Sequence, residues 1–294
     1  VILSMAILFA AGTAFAQQAA IKEANSALKS NDFNKAEQAI NRALGNPETM
    51  NLAETWNVAG QIQQKKAAAA KTGAVNAEEG KVASMKMVQY FLKTDEIAEK
   101  PNEKGKVNNK YRKANSAAIM AESSKLIQSG LDNFQKDGDD AKILATEFFK
   151  TYVDITTAPM FKDNPIVSGD TLAYTVAFYG MVAADQAKKY DDVIALGPIA
   201  MKGNQYAADA CYVYASAFQN KGDNAKFIST LKDGMKKYQG NMNLMSSMVN
   251  YFNDNKDAAG AHQFVDEMLS SDPNDYFLSF TKGYIYYISD QNEA

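Results

Sequence analysis

The chain has 294 residues, 46% of them hydrophobic and 22% charged, with a formal net charge of −3. That is enough apolar material for a sizeable core, and it leaves no global field to draw the protein toward nucleic acid or acidic lipid. Arg42 and Arg112 are the only arginines, and the scarcity of the planar fork that reads phosphates and base edges argues further against a nucleic-acid partner.

Val1 to Ala16 carry no charge, read VILSMAILFAAGTAFA, and close on Ala14-Phe15-Ala16. A short apolar run ending in a small-x-small triplet is the pattern of an export signal, here cut after Ala16 to leave Gln17 as the mature N-terminus. The run is shorter than the roughly 20 apolar residues that cross a bilayer, so the mature chain is expected to have no transmembrane segment. No initiator Met or basic stretch precedes Val1, so the chain reads as clipped at its start. No cysteine follows the run, which argues against a lipid anchor. The expected location is the periplasm or the cell exterior. Cys211 is the only cysteine, so no intramolecular disulfide can form, and on an apolar helix face it reads as a small buried hydrophobe.

Residues 17–70 form the first block. Asp32-Phe33-Asn34-Lys35-Ala36, then Ile40 and Ala43, space their apolar positions three and four apart, as a helix requires. Trp56, Ala59 and Gly60 start a second such pattern. Residues 71–165 form a long-helix region, with helices expected from about Ala77 to Ala98, Tyr111 to Phe134 and Asp140 to Val153. A loop containing Pro159 and Pro165 follows. Between the first two helices Lys100, Lys104, Lys106, Lys110, Arg112 and Lys113 are opposed only by Glu103. Such a run is a solvated connection or a basic docking patch for an acidic partner or membrane surface, made of Lys104, Lys106, Lys110, Arg112 and Lys113. Asp137, Asp139 and Asp140 around Gly138 lack the spacing and terminal Glu of a calcium loop, and read as a polar turn.

Residues 166–294 form the third block, and a shift of 34 residues aligns it on itself. Ala215, Val249 and Gly283 fall in one column of small or slim residues, and Phe218, Phe252 and Tyr286 in one of aromatics. Phe227 aligns with Ala261, Leu231 with Val265, and Gly234 with Met268. Gly222-Asp223 and Asn253-Asp254-Asn255-Lys256 are turns, and Ser271-Asp272-Pro273-Asn274 ends a helix.

These residues resemble the tetratricopeptide repeat, whose 34-residue unit is helix, turn, helix. The match is strict from about residue 207, fair over 18–70 and 166–206, and poor over 71–165. That middle region is either stretched repeats or a separate helical element. The W-x2-L-G spacing of the family is met by Trp56, Ala59 and Gly60, with Ala where Leu is commoner. The resemblance implies an all-α fold of helical hairpins stacked into a right-handed solenoid. A small residue at each helix crossing lets axes approach, and an aromatic one turn later fills the gap. Tyr276 to Ser289 reads as the first helix of a seventh unit, with Asp290 to Ala294 where the second should begin. The expectation is a chain that stops mid-repeat and leaves its last apolar stripe, including Tyr286, uncovered.

In that family the first helices line a concave groove. Carried over residue by residue, the lining is Tyr212, Ser216 and Gln219, then Ser246, Asn250 and Asn253, then Phe280, Tyr284 and Tyr287. Amides, hydroxyls and aromatic rings depart from the lysine- and arginine-rich clamps of some family members, and suit an extended peptide or a glycan. A catalytic reading has little material. His262 is the only histidine and is expected on an exposed helix face. That rules out a multi-histidine zinc site, and no nucleophile elbow or phosphate loop is present. A carboxylate pair of the glycosidase kind needs no motif, and nothing here supports one. No cofactor or metal is expected. The expected function is a non-enzymatic exported scaffold that binds a protein or peptide partner, with a glycan-capturing envelope protein as the alternative.

Overall fold

The computed structural model describes residues 18–101, 105–271 and 273–292. The expected export signal and its cleavage after Ala16 lie outside these residues, as does Lys104. Every regular element among the described residues is helical, and within each unit neighbouring helices pack on one another. No described helix is long and apolar enough to cross a membrane. The chain divides into two compact units, one of residues up to Lys136 with Glu147–Asp170, the other of Asp137–Thr146 with Thr171 onward.

The first unit begins with helix α1 over residues 18–29, followed by α2 (Phe33–Leu44), α3 (Ala53–Ala70), α4 (Ala77–Ala98) and α5 (Arg112–Phe134). The Asp32 carboxylate accepts the Lys35 backbone N–H at 3.1 Å and so caps α2 where the sequence places its start. Ala36, Ala39, Ile40 and Ala43 bury one face of α2 against Ala24, Ala27, Leu28, Val58, Ala59 and Ile62. So many alanines let these axes approach closely. Two buried threonines tie the next corner: the Thr49 hydroxyl donates to the Ala43 carbonyl at 2.6 Å, and that of Thr55 to the Thr49 carbonyl at 2.7 Å. Gly60 sits where α3 crosses α4, and a methyl group there would run into the buried Phe91 ring.

α4 starts at the expected residue because the Asn76 side chain accepts the Glu78 N–H at 2.8 Å, while Glu78 and Glu79 complement the positive end of the helix. α4 and α5 run for 22 and 23 residues, against 13 to 14 for the helices of the strict repeats. Helix α6 (Asp139–Thr157) spans the division between the units, ending four residues beyond its expected end at Val153. The proline-containing stretch after it is a 3-10 turn at Pro159–Phe161 and a short helix α7 (Pro165–Ser168).

The second unit contains α8 (Leu172–Gln186), α9 (Tyr190–Ala200), α10 (Ala207–Asn220), α11 (Asn224–Lys237), α12 (Met242–Asp254), α13 (Ala258–Ser271) and α14 (Tyr276–Asn292). Short turns close the pairs. Gly222 takes φ 81° after α10, where a side chain would be strained, and Asp223 caps α11 through the Lys226 N–H at 3.1 Å. Asp257 and Asp275 do the same for α13 and α14. Ala215 and Val249 are buried, as are Phe218 with Phe252, Phe227 with Ala261, and Leu231 with Val265. Gly234, buried in the same core, leaves room for the Cys211 sulfur, which would lie 2.5 Å from a Cβ at that position.

The third member of each column departs from this pattern. Gly283 has no described atom within 4 Å of where its Cβ would stand, and Tyr286 is half exposed. α14 buries Leu278, Thr281 and Ile285 instead, with the Thr281 hydroxyl against the Met245 sulfur of α12. As the last described helix, α14 turns toward α12 and α13 the face those helices can cover, and the space beside Gly283 holds no described neighbour. The helix also continues through Asp290 to Asn292, where the second helix of that unit was expected to begin.

Candidate functional site

The nine expected groove residues stand on the solvent side of the buried stripes of α10, α12 and α14. Tyr212, Gln219, Ser246, Asn250, Asn253, Phe280, Tyr284 and Tyr287 are exposed, and Ser216 is half-buried. α10 packs on α12, and Ser246 and Phe280 directly flank the Met245–Thr281 contact that joins α12 to α14.

α14 carries the strongest feature. Tyr276, Phe280, Tyr284 and Tyr287 are 84, 56, 46 and 60% exposed. Their spacing of four, four and three places them on one helix face, opposite the buried Leu278, Thr281 and Ile285. The twelve residues from Tyr276 to Tyr287 carry this aromatic strip over about 16 Å of helix. Gly283 lies on the same face and leaves a notch between the rings.

The basic run resolves into separate roles. The Arg112 guanidinium binds the Asp95 carboxylate in two parallel hydrogen bonds of 2.7 and 2.8 Å and also pairs with Glu99. Asp95 is only 6% exposed as a side chain, so Arg112 neutralises an otherwise buried charge and ties the connection after α4 back onto that helix. The hydrogen bonds to Asp95, and then that to Glu99, push its pKa up against the effect of burial. Lys110 lies 5.0 Å above the Tyr111 ring, and Lys113 is exposed. Lys106 has an interaction of its own.

Single reactive groups are engaged in packing. Burial, chiefly, pushes the Cys211 thiol up to about 11, so at neutral pH it is an un-ionised side chain beneath Gly234. His262, expected on an exposed face, is half-buried with its ring 4.1 Å from that of Tyr286, and its Nδ1 is buried without a hydrogen-bond partner among the described residues. Among the described residues no group of three or more His, Cys, Asp or Glu is placed to hold a metal ion.

Two clefts were not legible in the sequence. In the first unit, Ala67, Ala70, Gly80, Leu126 and Phe148 floor a space of about 280 Å³ rimmed by Lys71, Lys81, Glu122 and Lys125. Burial raises the Glu122 carboxyl, but Lys125, Lys71 and the Ser84 hydroxyl outweigh it and hold the group below its ordinary value. In the second unit the start of α8 and the loop after α9 enclose a pocket of about 320 Å³. Both assemble from small residues and loop positions that no periodic pattern marks. No protein-family model matches the chain, and no curated protein is significantly similar to it.

Proposed function

We propose that the chain is an exported, non-catalytic scaffold of the tetratricopeptide type, its hairpins stacked as a solenoid, that binds a protein or peptide partner along the face of α10, α12 and α14. The repeat reading is supported by the 34-residue register of α10 to α13, whose aligned small and aromatic positions are buried together. The binding reading rests on one observation: the strip of exposed Tyr276, Phe280, Tyr284 and Tyr287. Contiguous exposed aromatics are uncommon on a surface without a partner, and Tyr and Phe are enriched at protein interfaces, where a few of them carry most of the energy. The exposed amides Gln219 of α10 and Asn250 and Asn253 of α12 are suited to the main chain of an extended segment.

The test replaces Phe280 and Tyr284 together by serine in the exported protein. Partner proteins recovered after crosslinking in cells are then identified against the wild type. A partner held by the strip is lost from the double variant, by about 2 kcal/mol or more per anchor, while far-UV circular dichroism stays unchanged. Equal recovery from both proteins rejects the reading.

A further inference from the structure

We propose that the pocket between α8 and the loop after α9 binds a carbohydrate, as a site separate from the α14 strip. Thr171, Tyr174 and Thr175 form one wall, and Asn204, Gln205 and Tyr206 the other, over a floor that includes the buried Ala200. Its volume of about 320 Å³ sits at the small end of ligand pockets, which run from about 300 to 1,000 Å³.

The pocket is shaped before any ligand arrives. The Tyr206 ring stacks on Phe178, with centroids 4.7 Å apart and planes 6° from parallel. Its hydroxyl accepts the Gln205 side-chain N–H at 3.0 Å, and Tyr179 meets it edge-on at 6.1 Å. Gly203 lets the loop pass directly over Tyr174, since a Cβ there would stand 3.0 Å from that of Tyr174. A fixed ring loses little entropy on binding.

The lining chemistry selects the ligand class. It offers hydroxyls, amides and aromatic surface, which pair with the alternating donors, acceptors and C–H faces of a pyranose. The Thr175 hydroxyl and the Asn204 amide have no protein partner among the described residues. No carboxylate lines the pocket, and its single charge is the exposed Lys202, so a cationic ligand is disfavoured and a neutral or acidic sugar favoured. An apolar side chain from a peptide would leave the amides and hydroxyls unpaired.

Saturation-transfer NMR on the full chain tests this. The probes are neutral di- and trisaccharides of glucose, mannose, galactose and N-acetylglucosamine, a uronic-acid trisaccharide, and a set of tripeptides. At least one sugar receives saturation. Asn204→Ala, on an exposed loop, and the near-isosteric Thr175→Val each weaken that sugar about three- to tenfold, the worth of one hydrogen bond. The Phe280/Tyr284 serine variant leaves sugar binding unchanged, which keeps this site distinct from the partner face. The proposal is overturned by no transfer to any sugar, by transfer that both pocket variants leave intact, or by tripeptides binding at these residues in place of sugars.

Discussion

Gly130→Ala is the sharpest test of how the first unit is packed. Gly130 lies in α5, and a Cβ built on it would stand 2.5, 2.7 and 2.9 Å from three atoms of the Phe149 ring. Carbon atoms rest at about 3.5–4.0 Å, so the ring must retreat by about 1 Å. Phe149 is fully buried and meets Phe134 edge-on at 6.4 Å, so it has nowhere open to go. Overpacking of this kind costs about 1–3 kcal/mol, against which a Gly-to-Ala change inside a helix returns up to about 1 kcal/mol. The net effect lies between no change and a loss of about 3 kcal/mol. Removing the ring separates the two terms. In a Phe149→Val background the same change meets no clash and gains up to about 1 kcal/mol, a coupling of about 1–3 kcal/mol. Trp56, the only tryptophan and part of the first unit, reports this in a urea titration. Gly283→Ala, with open space around it, gains up to about 1 kcal/mol by circular dichroism. If Gly130→Ala stabilises as Gly283→Ala does, or shows no coupling to Phe149→Val, the helix crossing is misassigned.

Further outcomes follow from the same contacts. Cys211 is un-ionised and buried, so a thiol reagent at pH 8 labels the native chain far more slowly than the urea-unfolded one. Because folding raises this pKa, its contribution to stability is complete below the unfolded value of about 8.5 and fades as pH climbs toward about 11. A Cys211→Ala variant loses that part of the alkaline slope. Arg112→Ala strands the Asp95 charge and costs about 3 kcal/mol, the low end for a buried pair because the guanidinium is partly solvated; adding Asp95→Asn restores part of it, and a surface-like change below about 0.5 kcal/mol contradicts the clamp. Mass spectrometry of envelope extracts finds a mature N-terminus at Gln17, whereas an uncut chain in the cytosol refutes export.

The helices that the sequence places most accurately are those with both a cap and a periodic face. α4 begins and ends where expected because Asn76, Glu78 and Glu79 mark its start and its apolar spacing persists to Ala98. The columns of α10 to α13 hold because each helix there has neighbours to bury both the small residue and the aromatic. The same columns fail at Gly283 and Tyr286 because periodicity describes a face, not whether another helix covers it. His262 illustrates a related limit: its position after Ala261 looked solvent-facing, but Tyr286 from the next helix closes over it. Arg112 reads as part of a basic run because its carboxylate partners lie 17 and 13 residues back, on α4 and at its C-cap. The α8 pocket depends on the path of the loop at Gly203, which no spacing rule encodes.

The most direct test of the binding account is site-specific photocrosslinking in cells. A benzophenone side chain replaces Tyr284 on the aromatic strip, or Ala225 at an exposed position on α11 as the control. The account predicts one discrete protein adduct from position 284, absent from position 225 and abolished by Phe280→Ser in the same chain. Adducts of equal yield at both positions, or none at position 284, contradict the claim that this face holds a partner.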